Sequence, residues 1–215
     1  MTVVKICGIT NLADARVAAG AGADLIGFVF YPPSPRNVSP EGVREIIRGI
    51  RPTVTVRTSN SGPRFVGVFV DRRTEAVARV LDFCGLDYAQ LHGTEPPQDV
   101  IALTELGHHV IKAFRVRDAD SLAGVSGYQA AAYLLDTYVP GEAGGTGRRF
   151  DWSLALDAKR HGPLILAGGL HPDNVGEAVR TIRPWGVDVS SGVEAEPGRK
   201  DPEQVRRFVA KAKTG

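Results

Sequence analysis

Cys7 closes the apolar run Val3-Val4-Lys5-Ile6-Cys7. Gly8 follows it, and Thr10 and Asn11 can cap a helix. A thiol near a helix N-terminus ionises more readily and can take a proton from substrate. The other reading is a buried structural cysteine, which an isolated free cysteine favours. Asp136 closes Tyr133-Leu134-Leu135 and either hydrogen-bonds a loop or does acid–base chemistry; the residue alone leaves both open. His92, in Gln90-Leu91-His92-Gly93, is a donor or proton carrier, or a structural histidine. Arg36 ends the proline-rich Tyr31-Pro32-Pro33-Ser34-Pro35-Arg36; it could grip a carboxylate with two parallel bonds or face solvent. Three glycine clusters, Gly144-Gly145-Thr146-Gly147, Gly168-Gly169 and Ser190-Ser191-Gly192, could present backbone N–H groups to an anion. Their spacing matches neither the P-loop nor the dinucleotide fingerprint. The five histidines are scattered, so a metal site finds no support, and no Ser-His-Asp order can be defended. Cys84, before Gly85 on a helix, reads as structural.

The elements that would position these residues alternate. Apolar runs predict strands at 3–7, 25–30, 65–70, 88–91, 110–114, 132–136, 164–167 and 187–190. Helices are predicted to begin near Asn11, Pro40, Thr74, Pro96, Asp118, Trp152, Pro172 and Asp201, with Ser39-Pro40, Thr94 ahead of Pro96, His171-Pro172 and Asp201-Pro202 as start signals. Runs such as Leu25-Ile26-Gly27-Phe28-Val29-Phe30 are apolar on both faces, as in parallel strands covered by helices. Eight strand–helix units predict an α/β fold, a closed (β/α)8 barrel; seven would predict an open doubly wound sheet. In such a barrel the site lies at the C-terminal ends of the strands. The last two glycine clusters follow strands seven and eight, where many barrels bind phosphate.

Composition bounds the function classes. The chain has 215 residues, 43% hydrophobic and 23% charged, which excludes disorder. Its 25 glycines exceed the usual share of about 7% without a collagen period. A net charge of +2 with dispersed Lys and Arg gives no nucleic-acid footprint, and the apolar runs are too short to span a membrane. Two cysteines and no leader pattern in Met1-Thr2-Val3-Val4-Lys5 predict a reducing, cytoplasmic setting. The connection 51–64 is long and polar, with little to bury, which predicts partial mobility.

Lys5-Ile6-Cys7-Gly8-Ile9-Thr10 resembles the opening of phosphoribosylanthranilate isomerases. So do Gly27-Phe28-Val29-Phe30 with Ser34-Pro35-Arg36, Val66-Gly67-Val68-Phe69, Gln90-Leu91-His92-Gly93, Leu135-Asp136 and Gly144-Gly145-Thr146-Gly147. Phe150-Asp151-Trp152, Leu166-Ala167-Gly168-Gly169-Leu170 and Asp188-Val189-Ser190-Ser191-Gly192-Val193-Glu194 complete the set, in order over almost the whole chain. Two departures are the long 51–64 connection and Arg148, where a Lys is common. The resemblance implies one catalytic (β/α)8 barrel over residues 1–215, a tryptophan-pathway enzyme performing an Amadori rearrangement without cofactor or metal. Its expected partner is a small phosphosugar–anthranilate substrate, with no nucleic acid and no membrane, and the chain is a monomer or homodimer. Asp136 matches the general acid, Cys7 the general base and Arg36 the carboxylate ligand. His92 matches a substrate contact, and Gly145, Gly168, Gly169, Ser191 and Gly192 match the phosphate grip. Among rivals, a ribulose-phosphate epimerase would show metal-ligand His and Asp at strand ends. A dual-substrate isomerase of histidine and tryptophan synthesis would carry Asp in place of Cys7. A non-catalytic binding barrel would have no need of the Cys7–Asp136 pair.

Overall fold

The computed structural model describes residues 1–51, 62–137 and 153–215. The Gly144-Gly145-Thr146-Gly147 cluster, Arg148 and most of the 51–64 connection lie outside the described residues.

Eight parallel strands close into a barrel. They are β1 (Val3–Ile6), β2 (Leu25–Val29), β3 (Arg64–Phe69), β4 (Tyr88–Leu91), β5 (His109–Val116), β6 (Ala132–Thr137), β7 (Leu164–Leu166) and β8 (Gly186–Val189). Closure comes from β1 pairing with β8, Lys5 opposite Asp188. The short eighth run, on which the expectation of a barrel rather than an open sheet turned, is therefore a true strand. The helices are α1 (Leu12–Gly20), α2 (Pro40–Ile50), α3 (Thr74–Cys84), α4 (Pro97–Glu105), α5 (Ser153–Ala158), α6 (Val175–Ile182) and α7 (Pro202–Thr214). A small antiparallel pair, β9 (Glu194–Glu196) and β10 (Arg199–Lys200), follows β8 and was not predicted.

Several starts follow their chemistry. Asn11 Oδ1 accepts from Asp14 N, Ser39 Oγ from Gly42 N, and Asp201 Oδ1 from Glu203 N and Gln204 N, each satisfying a backbone donor that the first helical turn leaves free. Three expectations are corrected. Asp118 does open a capping box with Ser121, but only two short 3-10 turns follow, Ala119–Leu122 and Val125–Gly127. Gly124, Ser126 and Gly127 are poor helix formers and stop propagation. Thr94 does not cap α4; its hydroxyl donates to Asp71 Oδ1, and Pro96 stands at the cap. Pro172 lies in the turn before α6, which starts after Asn174.

Two apolar clusters hold the fold. One joins helices to the outer faces of the strands, with Ile6, Phe28, Phe69, Leu81, Leu103, Val179 and Phe208 buried in it. The other consists of Leu25, Val66, Ile111, Ala113, Ala132, Leu134, Ile165 and Ala167. These stand at alternate positions of their strands, so they fill the barrel interior. Continuing that alternation along β1, β4, β6 and β8 brings up Lys5, Gln90, Asp136 and Asp188, all buried.

A buried ion pair fixes one rim of the barrel. Lys112 Nζ of β5 lies 2.7 Å from Glu95 Oε2, and both side chains are 2% exposed. Glu95 also accepts from Asp71 N and Gly93 N, while Lys112 donates to Gly93 O. The ends of β3, β4 and β5 are thus tied together beside His92. Removing one member leaves an uncompensated buried charge, at a cost of about 3–5 kcal/mol. Glu95→Ala should therefore lower the urea-unfolding free energy by about 3 kcal/mol or more.

Candidate active site

A cavity of about 490 Å3 opens at the C-terminal ends of the strands. Cys7, Arg36, Gln90, His92, Asp136, Gly168, Gly169, Asp188, Ser190, Ser191 and Gly192 all line it. Every predicted site residue within the described residues is in this list; Gly145 lies outside them.

Cys7 sits one residue past β1, its backbone N–H bonded to Val189 O at 2.8 Å. Gly27 of β2 makes room for it: a Cβ there would lie 2.8 Å from Cys7 Sγ and 3.2 Å from Lys5 Cε. Lys5 is fully buried, its ammonium 2.9 Å from Asp188 Oδ1. Burial opposes that charge, but Asp188 and then Cys7 outweigh it and push the Lys5 pKa up to about 12. The Cys7 thiol is pushed up from its ordinary value because burial dominates; Lys5 pulls it down and Asp188 adds to the rise. Cys84 is a buried thiol of α3 whose Sγ meets Pro40 O, as its structural reading expected.

Asp136 lies near the top of β6, 6% exposed. His92 Nε2 is 3.3 Å from Asp136 Oδ2, off the line of a hydrogen bond. Gln90 Nε2 stands 2.9 Å from His92 Nδ1. With the Gln90 amide donating, Nδ1 accepts and His92 carries its hydrogen on Nε2, the atom beside Asp136. Gln90 Oε1, His92 Nε2 and Ser190 Oγ are buried without a hydrogen-bond partner among the described residues. Such atoms are costly unless a bound molecule or water satisfies them.

Arg36 does not stretch free into the cavity. Its Nε and Nη2 grip Glu194 Oε1 and Oε2 at 2.8 and 2.7 Å. Glu194 Oε1 also accepts from Lys200 Nζ at 2.7 Å. Burial resists the Glu194 charge, yet these cations hold its pKa below the ordinary carboxylate range. One edge of the guanidinium is thus taken up by Glu194, and Nη1 makes no hydrogen bond or ion pair among the described residues.

The loops after β7 and β8 meet. Gly168 and Gly169 have φ of +78° and +65°, a left-handed pair that side chains would strain. Asn174 Nδ2 holds Gly169 O at 2.8 Å while its Oδ1 accepts from His171 N. Gly192 packs against the same turn, where a Cβ would strike the Leu170 carbonyl.

The sequence model described as N-(5'phosphoribosyl)anthranilate (PRA) isomerase matches residues 4–211. The chain belongs to this family. The N-(5'-phosphoribosyl)anthranilate isomerase of Citrifermentans bemidjiense is 53% identical over 213 residues, covering 99% of this chain and 98% of the relative. The crystal structure of the phosphoribosylanthranilate isomerase of Thermotoga maritima superimposes with a TM-score of 0.89 at 42% identity, covering 100% of both chains. A crystal structure of such an isomerase in complex with reduced 1-(o-carboxyphenylamino)-1-deoxyribulose 5-phosphate gives a TM-score of 0.86 at 41% identity, again over 100% of both chains. The protein is an enzyme with phosphoribosylanthranilate isomerase activity.

Lys5, Gln90, Asp188, Glu194 and Lys200 were not singled out from sequence as site residues. Lys5, Gln90 and Asp188 carry the same signal that marked Asp136, a polar residue inside an apolar strand. Glu194 stood only as the last residue of the motif at 188–194, and Lys200 carries no signal, since β9 and β10 could not be foreseen.

Proposed function

We propose that this barrel catalyses the Amadori rearrangement of N-(5-phosphoribosyl)anthranilate in tryptophan biosynthesis, with Asp136 as general acid and Cys7 as general base. The observation that carries the reading is their placement on one cavity, from β6 and from the end of β1. Asp136 gives its proton to the ribose ring oxygen. The C1′–O bond breaks, and the nitrogen lone pair forms a protonated Schiff base. Cys7, as thiolate, takes the proton from C2′, and those electrons form the enolamine, which tautomerises to the ketone. A positioned acid or base contributes about 10²–10⁴-fold, so each group supplies roughly 3–5 kcal/mol of barrier lowering.

The rest of the cavity suits the two ends of this substrate. Arg36 Nη1 is free to take the anthranilate carboxylate, aimed by its grip on Glu194. The paired turns at Gly168-Gly169 and Ser191-Gly192 form the phosphate end, with Gly145 as a further candidate. His92 Nε2 faces the same carboxylate as the substrate's ring oxygen would, so it is read as a substrate contact near Asp136. Holding both ends places the reacting carbons between base and acid. The reading takes the whole chain as one catalytic barrel, as monomer or homodimer, in the reducing cytoplasm, where its two unpaired cysteines are at home. It requires no cofactor or metal, because each step is a proton transfer.

Cys7→Ala and Asp136→Asn should each lower kcat by about 10²-fold or more while far-UV circular dichroism stays native. Wild-type turnover in either would remove that role; the assay is the fluorescence lost as freshly made phosphoribosylanthranilate is consumed. Activity should also climb with pH. A base with a raised thiol pKa is mostly protonated at neutrality and becomes competent as pH rises, so kcat/KM should still be increasing above pH 8.5, the ordinary thiol midpoint. Arg36→Ala should raise KM about tenfold or more, the worth of one charge-assisted hydrogen bond. Glu194→Ala should also raise KM, since Arg36 loses its anchor.

A further inference from the structure

We propose that Lys5, clamped by Asp188, is a positioning residue that sets the charge state of Cys7 and so supplies the enzyme with its thiolate. Cys7 stands two residues after Lys5 and one past the end of β1, so the two share one face of the barrel. Both crowd the same point of Gly27, which places Cys7 Sγ within about 6 Å of Lys5 Cε. Lys5 is 0% exposed and makes one ion pair, to Asp188 Oδ1 at 2.9 Å. A fully buried lysine is costly to keep in an enzyme interior. An apolar residue would fill this site in the barrel at lower cost, as Leu25, Leu134 and Ile165 do on other strands.

The charges around Cys7 make the argument specific. Lys5 of β1, Asp188 of β8, Arg36 after β2 and Lys200 of β10 act on the thiol, and Glu194 of β9 bonds both Arg36 and Lys200. His92 and Asp136 line the cavity farther round. Three cations against two carboxylates leave this cluster one positive charge in excess, which a thiolate at Cys7 neutralises. Arg36 and Lys200 are bound to Glu194 at 2.8 Å or less. Lys5 is the cation nearest Cys7 in chain and strand. Asp188 keeps it charged and in place, since burial alone would strip its proton. Burial drives the thiol the other way, towards its protonated form, and Lys5 is the largest influence opposing that drift.

This inference rests on Cys7 as the base, and the test separates the two. The rate of Cys7 alkylation by iodoacetamide, read at Cys7 by peptide mass spectrometry over pH 7–11, reports its thiolate whether or not it serves in catalysis. Lys5→Met should raise the Cys7 midpoint by at least about one pH unit, which lowers the alkylation rate near pH 8 about tenfold. The alkaline limb of kcat/KM should move by the same amount. The double variant Lys5→Met/Asp188→Asn replaces the ion pair by a neutral pair. It should fold even if the single change leaves Asp188 unpaired and unstable. Because Asp188 itself raises the thiol while Lys5 lowers it more strongly, the double variant should raise the midpoint by less than Lys5→Met does. An unchanged midpoint in folded Lys5→Met, or a lowered one in the double variant, overturns the proposal. A shifted midpoint with an unmoved kcat/KM limb supports the Lys5–Cys7 coupling and overturns Cys7 as the base.

Discussion

Lys5 and Asp188 stand opposite each other where the first strand meets the last, and their ion pair lies 2.9 Å across the seam that closes the barrel. Closure and chemistry are thereby fastened at one place. A parallel barrel leaves no edge strands, so its interior must be filled completely by alternate side chains. The lower part is filled by Leu25, Val66, Ile111, Leu134 and Ile165. Above them the same alternation continues with Lys5, Gln90, Asp136 and Asp188, and every one of these must be satisfied away from bulk water. Asp188 satisfies Lys5, and Gln90 satisfies one nitrogen of His92. Of the four buried side-chain atoms without a hydrogen-bond partner among the described residues, three, Gln90 Oε1, His92 Nε2 and Ser190 Oγ, belong to residues lining the cavity; the fourth, Arg115 Nε, does not. A closed barrel with polar strand ends therefore defines a binding site by the partners its polar atoms lack.

Around this floor the loops carry a second set of buried charges. Glu194 sits between Arg36 and Lys200, and β9 with β10 exists to present that carboxylate and that ammonium on one short hairpin. Buried ion pairs seldom add stability over apolar packing; they fix orientation. Here the orientation fixed is that of the Arg36 guanidinium, whose long side chain would otherwise sample many rotamers. The Glu95–Lys112 pair does the same for the opposite rim, holding the turn that carries His92. Both rims are thus preorganised by Glu194, Lys200, Glu95 and Lys112, none of which lines the cavity.

The fold was legible because its signal is periodic. Eight apolar runs separated by helical stretches leave few architectures, and strand ends then mark where the site must be. Asp136 and the glycine turns stood out at the ends of apolar strands, whereas Cys7 taken alone read more readily as structural and was picked out through the family resemblance. Other features were hidden for physical reasons. Glu194 and Lys200 lie on a two-stranded ribbon too short to show alternation, and Arg36, the other cation bound to Glu194, is far away in sequence. Asp118 looked like a helix start because it is one locally, with a complete capping box. What the cap could not reveal is that Gly124 and Gly127 end the turn before a helix forms. Lys5 was in plain view inside Val3-Val4-Lys5-Ile6, yet only the closing of β1 on β8 reveals its partner.

The division between strands and loops also explains which parts of the site can tolerate change. Asp136 and Lys5 sit within strands and Cys7 one residue beyond, so their positions follow from the hydrogen-bonded register of the barrel. A shift of one residue in β1 would turn Lys5 outward and Ile6 inward. The Arg36 side chain and the glycine turns after β7 and β8 are held instead from loops, by Glu194 and Asn174. Turns can lengthen or change sequence while the barrel stays closed, but Lys5 cannot shift without disturbing the pairing of β1 with β8, nor Asp136 without disturbing that of β6 with β5. Precision is therefore greatest where strands carry polar side chains into the cavity, and adaptability greatest in the turns around its mouth.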